Sequence, residues 1–212
     1  MKTDDLISRL SADQPPPQRP AGQSLALAAL LAIVCATGVM LFTTGPRPDF
    51  AAALGTWRFD MKFVVTLTLA SSAYVLLRRA IYPEGFARAP LWIILAAPAM
   101  LVAAVAYELA VLPASAWRSA QTGTNWMHCL VLVPAFGLLP LALALWGIRQ
   151  GAPTRPALTG FLAGLLAGGL GAAAYAANCP DDSPLFVMTW YPVGILALGV
   201  LGALAGRKML RW

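Results

Sequence analysis

Charge is what this sequence has least of. Charged residues make up 11% of its 212 residues, whereas a soluble domain carries about 25%. Hydrophobic residues make up 59%, and the mean hydropathy is +0.70. The apolar runs are long and do not alternate with polar residues, which excludes a β-barrel. Because lipid cannot hydrogen-bond to an exposed backbone, the spans must be helices. The composition therefore predicts an all-α, polytopic membrane protein.

Several features of soluble enzymes are absent as well. The sequence has three cysteines but no CxxC motif, which argues against a thioredoxin-type centre. It has a single histidine, no internal repeat and no recognisable catalytic constellation. The longest loops, 45–61 and 113–128, are too short to hold a separate folded domain. The chain is therefore predicted to consist of one bundle of membrane helices.

Six apolar runs are long enough to cross a bilayer core about 30 Å thick. The first is too long for a secretory signal, and the segment before it is as acidic as it is basic, so we expect it to be retained. The sequence thus divides into an N-terminal segment 1–23, a six-helix transmembrane domain 24–206 and a tail 207–212. The predicted spans are 24–44, 62–77, 91–112, 129–148, 157–177 and 186–206.

The distribution of cations predicts which side of the membrane the ends of the chain occupy. Six spans place both termini on one side, and eleven of the 15 Lys and Arg residues lie there. The other side holds only Arg47, Arg58, Lys62 and Arg118. Cytoplasmic loops carry the excess of cations in membrane proteins, so both termini are predicted to be cytoplasmic. The net charge of +6 then reflects membrane topology, and we expect no direct binding of nucleic acid.

Two cysteines occur at ends of the apolar runs, in "NWMHCLVLVP" and "YAANCPDDSP". Spans four and five are joined by the short turn "IRQGAPTRP", so they should form an antiparallel hairpin with Cys129 and Cys179 at its open, extracytoplasmic end. On that side thiols can form a disulfide, and a thiolate pair can also bind a soft metal ion. A purely structural disulfide, or two unrelated buried thiols, is the alternative. The third cysteine, Cys35, lies mid-span and is expected to pack as a small hydrophobe.

Four further polar residues are weaker candidates for a functional role. His128 is a candidate third metal ligand or proton acceptor, although a lone histidine at a membrane interface is more often simply hydrated. Asp181 and Asp182 can supply hard oxygen ligands, or they can cap the start of span six. Glu108 is a carboxylate inside span three, close to its outer end. We expect it to hydrogen-bond to the loop that carries Trp117 and Asn125.

The first residues, "MKTDDLISRLSADQPPP", differ from the rest of the chain. Asp4 and Asp5 suit the positive end of a helix, and the prolines 15–17 would end it. Leu6, Ile7 and Leu10 fall on one face of that helix. A helix this short is marginal in water, so we expect it to gain order by laying its apolar face on a partner protein. The alternative is a frayed tail.

Three segments of the chain resemble the NrsF family of six-span bacterial anti-sigma factors. They are "MKTDDLISRL", "GTNWMHC" and "RQGAPTRPALTGFLAGLLAGGLGAAAYAANCPDDSPLFVMTWY". The resemblance implies a negative regulator that holds an extracytoplasmic-function sigma factor at the inner (cytoplasmic) membrane through residues 1–14.

The resemblance also implies that Cys129 and Cys179 sense heavy metal stress, with no cofactor beyond a transient heavy-metal ion. It assigns no role to His128. A membrane thiol-redox enzyme or a small metal transporter is the alternative from the residues alone. The sequence offers neither a vicinal thiol pair nor clear polar groups at mid-membrane, which such proteins need.

Overall fold

The helices of this protein follow the apolar runs of its sequence. The computed structural model describes residues 3–12, 20–83, 85 and 89–210, and these residues form helices and turns without a β-strand. Short 3₁₀ helices at Leu91–Leu95 and Ala114–Ala116 precede α5 and α6. The α-helices are α1 (Thr3–Ala12), α2 (Ala21–Thr43), α3 (Phe50–Ala53), α4 (Trp57–Ala80), α5 (Ala96–Val111), α6 (Trp117–Thr122), α7 (Trp126–Ile148), α8 (Pro156–Ala176) and α9 (Pro184–Met209).

Six helical segments in the described part of the chain are long and apolar enough to cross a membrane. They are α2, α4, Leu91–Val111 (α5 with its 3₁₀ turn), α7, α8 and α9, which confirms the predicted all-α, six-span architecture. The second span is longer than its apolar run, since the predicted range 62–77 lies inside Trp57–Ala80. The extra first turn contains Arg58 and Asp60, so hydropathy alone underestimates this helix.

Helix α8 lies at the centre of the bundle. It is the most buried of the six spans, whereas the span containing α5 is the least buried. Helices α4, α7 and α9 pack directly against α8, and α2 packs against α7. Span five is therefore enclosed by protein, which explains why it tolerates so many small residues and so few large ones.

Hydrogen bonds show which helix ends lie together at one end of the bundle. At one end, Ser24 Oγ at the start of α2 donates to Gln150 Oε1 after α7 at 2.5 Å, and the amide of Ala152 donates to the carbonyl of Ile81 after α4 at 3.0 Å. Helix α2 begins at this end and helix α9 ends at it, so it is called the terminal end. The opposite end carries Cys129 and Cys179 and is called the thiol end.

Glycines let α8 and α9 approach each other closely. A Cβ atom placed on Gly164 would lie 2.2 Å from the carbonyl oxygen of Leu198, and one on Gly160 would lie 2.1 Å from the carbonyl oxygen of Gly202. Both neighbours are backbone atoms that a rotamer change cannot move. The small-xxx-small spacing in span five therefore builds a close helix–helix contact, as expected where no hydrophobic effect drives packing in lipid.

We expect Gly164→Ala to destabilise the protein by about 1–3 kcal/mol, because the added methyl group must push α8 and α9 apart. Gly38→Ala in α2 is the matched control, since a Cβ there meets nothing within 4 Å, and alanine favours a helix over glycine by about 1 kcal/mol. Thermal unfolding of both variants in detergent measures the difference. Equal melting temperatures would contradict the close α8–α9 contact.

Candidate functional site

The two cysteines at the thiol end are both buried and both free. Cys129 lies in the first turn of α7 and is 0% exposed, and Cys179 follows α8 and is 1% exposed. Backbone bonds fix both positions, from the Cys129 amide to Asn125 and from the Cys179 amide to Tyr175. The antiparallel α7–α8 hairpin thus places both thiols at its open end.

Two buried tyrosines lie at the thiol end of the bundle. The Tyr175 hydroxyl donates to the carbonyl of Asn125 at 3.3 Å and also lies within reach of the Cys179 thiol. The rings of Tyr175 and Tyr191 are 5.9 Å apart. Within the described part of the chain, the Tyr191 hydroxyl is a buried polar group without a hydrogen-bond partner. Both tyrosines are as buried as the thiols, each being 1% exposed.

Burial controls the chemistry of Cys179. It raises the pKa of this thiol above its ordinary range, and the ammonium of Lys62 and the hydroxyl of Tyr175 offset only part of that effect. The thiolate is the form that attacks disulfides and binds metals. Because the thiol is protonated at neutral pH in this closed arrangement, oxidation or metal binding requires either local opening or loss of the proton on binding.

A fully buried lysine holds the loop that carries Cys179. Lys62 is 0% exposed, and its Nζ donates to the carbonyl oxygen of Cys179 at 2.9 Å and lies 2.5 Å from Oδ1 of Asp182. From its sequence, Lys62 was expected to be one of the outer cations, with no further role. The available signal was its position next to an apolar run in "FDMKFVVTL", where an unpaired charge would be costly.

Arg47 extends this contact to the segment that follows α2. Its guanidinium contacts both oxygens of Asp182, at 3.0 and 2.7 Å, and both oxygens of Asp49, at 2.6 and 2.7 Å. These pairings raise the pKa of Arg47, and the Arg47 guanidinium lowers the pKa of Asp49. The backbone amide of Arg47 also donates to Ala177 at 3.1 Å. Helices α2, α4 and the Cys179 loop are thus joined by one ionic network, whose members are Lys62, Asp182, Arg47 and Asp49.

Asp181 and Asp182 do not cap span six, which was one of the two roles expected for them. The cap of α9 is Ser183, whose Oγ accepts from the Leu185 amide at 3.3 Å. Asp181 instead accepts from the backbone amides of Thr124 and Asn125, at 3.0 and 2.8 Å. A carboxylate is favourable there because these amides lie at the positive start of α7. Asp181 therefore joins the Cys179 loop to the helix that carries Cys129.

The candidate metal ligands do not form a larger cluster. His128 is exposed on α7, while both oxygens of Asp181 are engaged by the start of that helix. Among the described residues, no three His, Cys, Asp or Glu side chains are grouped closely enough to hold a metal ion. The thiol pair is therefore the part of the candidate set that the fold brings together.

Glu108 has a different partner from the one expected. It is 2% exposed and pairs with Arg58 of α4 at 3.1 Å, not with the loop that carries Trp117 and Asn125. The reason is that α4 begins earlier than its apolar run, so Arg58 lies beside the end of α5. Both residues line an open cleft of about 630 Å³ that also reaches Asp181 and Asp182.

Helix α1 is the second candidate site. It comprises Thr3–Ala12, with Asp4 and Asp5 in the first turn. Ile7 is 58% exposed, so the bundle does not cover it. The side chains of Leu6 and Leu10 lie outside the described part of the structure.

Comparison with known proteins identifies the family. Residues 10–212 match the family model described as NrsF, negative regulator of sigma F. The chain belongs to the NrsF family. It is 38% identical over 219 residues to the anti-sigma-F factor NrsF of Caulobacter vibrioides, covering 100% of both chains. It is 32% identical over 216 residues to the probable anti-sigma-F factor NrsF of Azospira oryzae, again covering 100% of both.

The NrsF family consists of regulators and not of enzymes. The absence of a catalytic constellation in the sequence agrees with that membership. No solved structure matches this chain. The positions of the thiols, of the ionic network and of α1 are therefore argued from the residues of this chain alone.

Proposed function

We propose that this protein is a membrane-bound anti-sigma factor that sequesters an extracytoplasmic-function sigma factor at the bacterial inner membrane. The observation that carries the proposal is the match of residues 10–212 to the negative regulator family, together with a full-length relative named as an anti-sigma-F factor. The excess of cations at the terminal end supports an orientation in which α1 and both chain ends face the cytoplasm, where sigma factors act.

In this proposal α1 is the segment that binds the sigma factor. Asp4 and Asp5 lie in its first turn and can pair with cations of the partner, while Leu6, Ile7 and Leu10 form the apolar contact. The exposure of Ile7 supports this role, because an apolar side chain left uncovered on a short helix gains most from a partner's groove. The membrane domain then serves to hold the sigma factor away from polymerase.

The proposed signal is a chemical change at Cys129 and Cys179, caused by heavy-metal or thiol-oxidative stress. Two buried thiols at one end of a helical hairpin can be linked by a disulfide or by a soft metal ion. Either event removes the thiol protons and draws the start of α7 and the Cys179 loop together. Asp181 and Lys62 hold that same loop, so the change also alters its ionic contacts.

Helix α4 is the proposed route to the terminal end. Lys62 near its start holds the carbonyl of Cys179, and the carbonyl of Ile81, just after its end, accepts from Ala152 in the α7–α8 turn. A stimulus shifts the sigma-bound population only by its differential affinity for two packings of the bundle. The close α8–α9 contact is the interface whose repacking would provide the second state.

We expect the double variant Leu6→Asp with Leu10→Asp to release the sigma factor while leaving the membrane domain folded. Each substitution loses the burial of a leucine side chain, which alone is worth about 2 kcal/mol, and an unpaired carboxylate in the contact adds to that cost. The two changes together therefore weaken binding by at least roughly 1,000-fold. The measurement is co-purification of the source cell's sigma factors with the detergent-solubilised protein, together with a sigma-dependent reporter.

The matched control is Ser8→Asp with Ala12→Asp, which adds the same charge to the opposite face of α1. That control should still repress the reporter and retain the sigma factor. If the Leu6 and Leu10 variant also represses and co-purifies normally, the binding role of α1 is wrong. If the unaltered protein captures no sigma factor, the anti-sigma function itself is wrong.

A further inference from the structure

A long apolar groove runs between α2 and α4, with α8 as its floor. Two adjoining cavities of about 440 and 260 Å³ form it, and Ile33, Leu67 and Leu170 line both. Along α2 the lining extends from Ala26 to Met40, which is about 21 Å at the rise of an α-helix. The groove therefore follows most of a hydrocarbon core about 30 Å thick.

The larger cavity lies toward the terminal end of the bundle. Its lining includes Tyr74 and Val75 on α4, and Arg78 lies one turn further along the same helix face. Arg78 is exposed, in the last turn of α4. The apolar groove thus ends beside a guanidinium at the depth where lipid headgroups lie.

We propose that this groove binds one acyl chain of an anionic phospholipid from the leaflet at the terminal end, with its phosphate at Arg78. The guanidinium matches the geometry and charge of a phosphate. The groove lining is mostly apolar, as contact with a hydrocarbon chain requires. The site is distinct from the thiols and from α1, and it does not depend on sigma binding.

A second copy of the chain fits the same groove less well. A two-fold dimer with its axis along the membrane normal brings identical residues together at the same depth. If α2 and α4 formed that interface, Arg78 of each protomer would lie near the Arg78 of its partner, and like charges repel. An anionic lipid removes this conflict because it neutralises the cation.

Native mass spectrometry of the purified protein, with added phosphatidylglycerol or phosphatidylcholine, tests the proposal. We expect phosphatidylglycerol to bind the unaltered protein more tightly than phosphatidylcholine. Arg78→Ala should weaken phosphatidylglycerol binding by roughly fivefold, the effect of one cation near an anionic lipid. Arg207→Ala is the matched control, because this exposed arginine lies in the last turn of α9, which does not line the groove.

A second pair of variants tests the acyl chain. Ala29→Phe fills the larger cavity and should reduce the binding of both lipids, whereas Val34→Phe adds a ring at a position 67% exposed and outside the groove and should not. Equal binding by Arg78→Ala and Arg207→Ala would overturn the headgroup contact and with it the proposal. A dimer that Ala29→Phe dissociates, with no bound lipid, would overturn it in favour of a second copy.

Discussion

Replacing Asp182 by asparagine is expected to destabilise the thiol end more than any other single change of a surface-loop residue. The substitution leaves Lys62, which is 0% exposed, without its carboxylate. Removing one partner of a buried ion pair costs roughly 3–5 kcal/mol, because the remaining charge is left uncompensated in a low dielectric. The measurement is the thermal unfolding of the purified variant in detergent.

Asp49→Asn is the matched control for that experiment. Asp49 also pairs with Arg47, but its side chain is 58% exposed, so water and salt already screen the pair and little change is expected. The double variant Lys62→Met with Asp182→Asn removes both charges and should be more stable than Asp182→Asn alone. If the separate effects of Lys62→Met and Asp182→Asn on stability add up to the effect of the double variant, Lys62 and Asp182 are not coupled and the ionic network does not hold the loop.

Accessibility of Cys179 gives a second readout of the same variant. In the unaltered protein this thiol is buried and its pKa is raised, so alkylation by a maleimide should be slow. Loss of Asp182 releases the loop and should speed alkylation. An unchanged rate would mean that the Cys179 loop is held by Asp181 and the backbone bonds, and not by Lys62.

Hydropathy predicted the fold because a membrane helix is defined by its composition along the whole length. The six spans and their alternating direction follow from the length of the apolar runs. The close α8–α9 contact at Gly160 and Gly164 follows from the glycine spacing. The bounds of α4 did not follow. Its first turn carries Arg58 and Asp60, ahead of the predicted start of the span, and the pairing of Arg58 with Glu108 supports this charged turn in the helix.

The ionic network could not be read from the sequence for a related reason. Asp182 lies far along the chain from Arg47 and Lys62, and only the fold brings its carboxylate to both cations. The same holds for Glu108, whose partner Arg58 belongs to a different span. Cys129 and Cys179 were predicted to lie together because a short turn joins their helices, and that inference needs only topology.

The second large effect concerns the thiols themselves. We expect Cys129→Ser and Cys179→Ser each to abolish induction as completely as the double variant, because one thiol can neither close a disulfide nor chelate in the same way. The measurement is a sigma-dependent reporter with and without cadmium, a soft ion that thiolates bind strongly. Cys35→Ser is the matched control and should respond normally, since Cys35 lies within α2 away from the thiol end.

Repression without cadmium separates sensing from structure in these variants. Lys62 holds Cys179 through the backbone carbonyl and not through the thiol, so Cys179→Ser leaves that bond in place. The serine variants should therefore still repress when no metal is present, whereas Asp182→Asn, which breaks the ionic network, should release the sigma factor under both conditions. Normal induction in the double serine variant would contradict the sensor role. Loss of repression in either single serine variant would make its cysteine a structural residue.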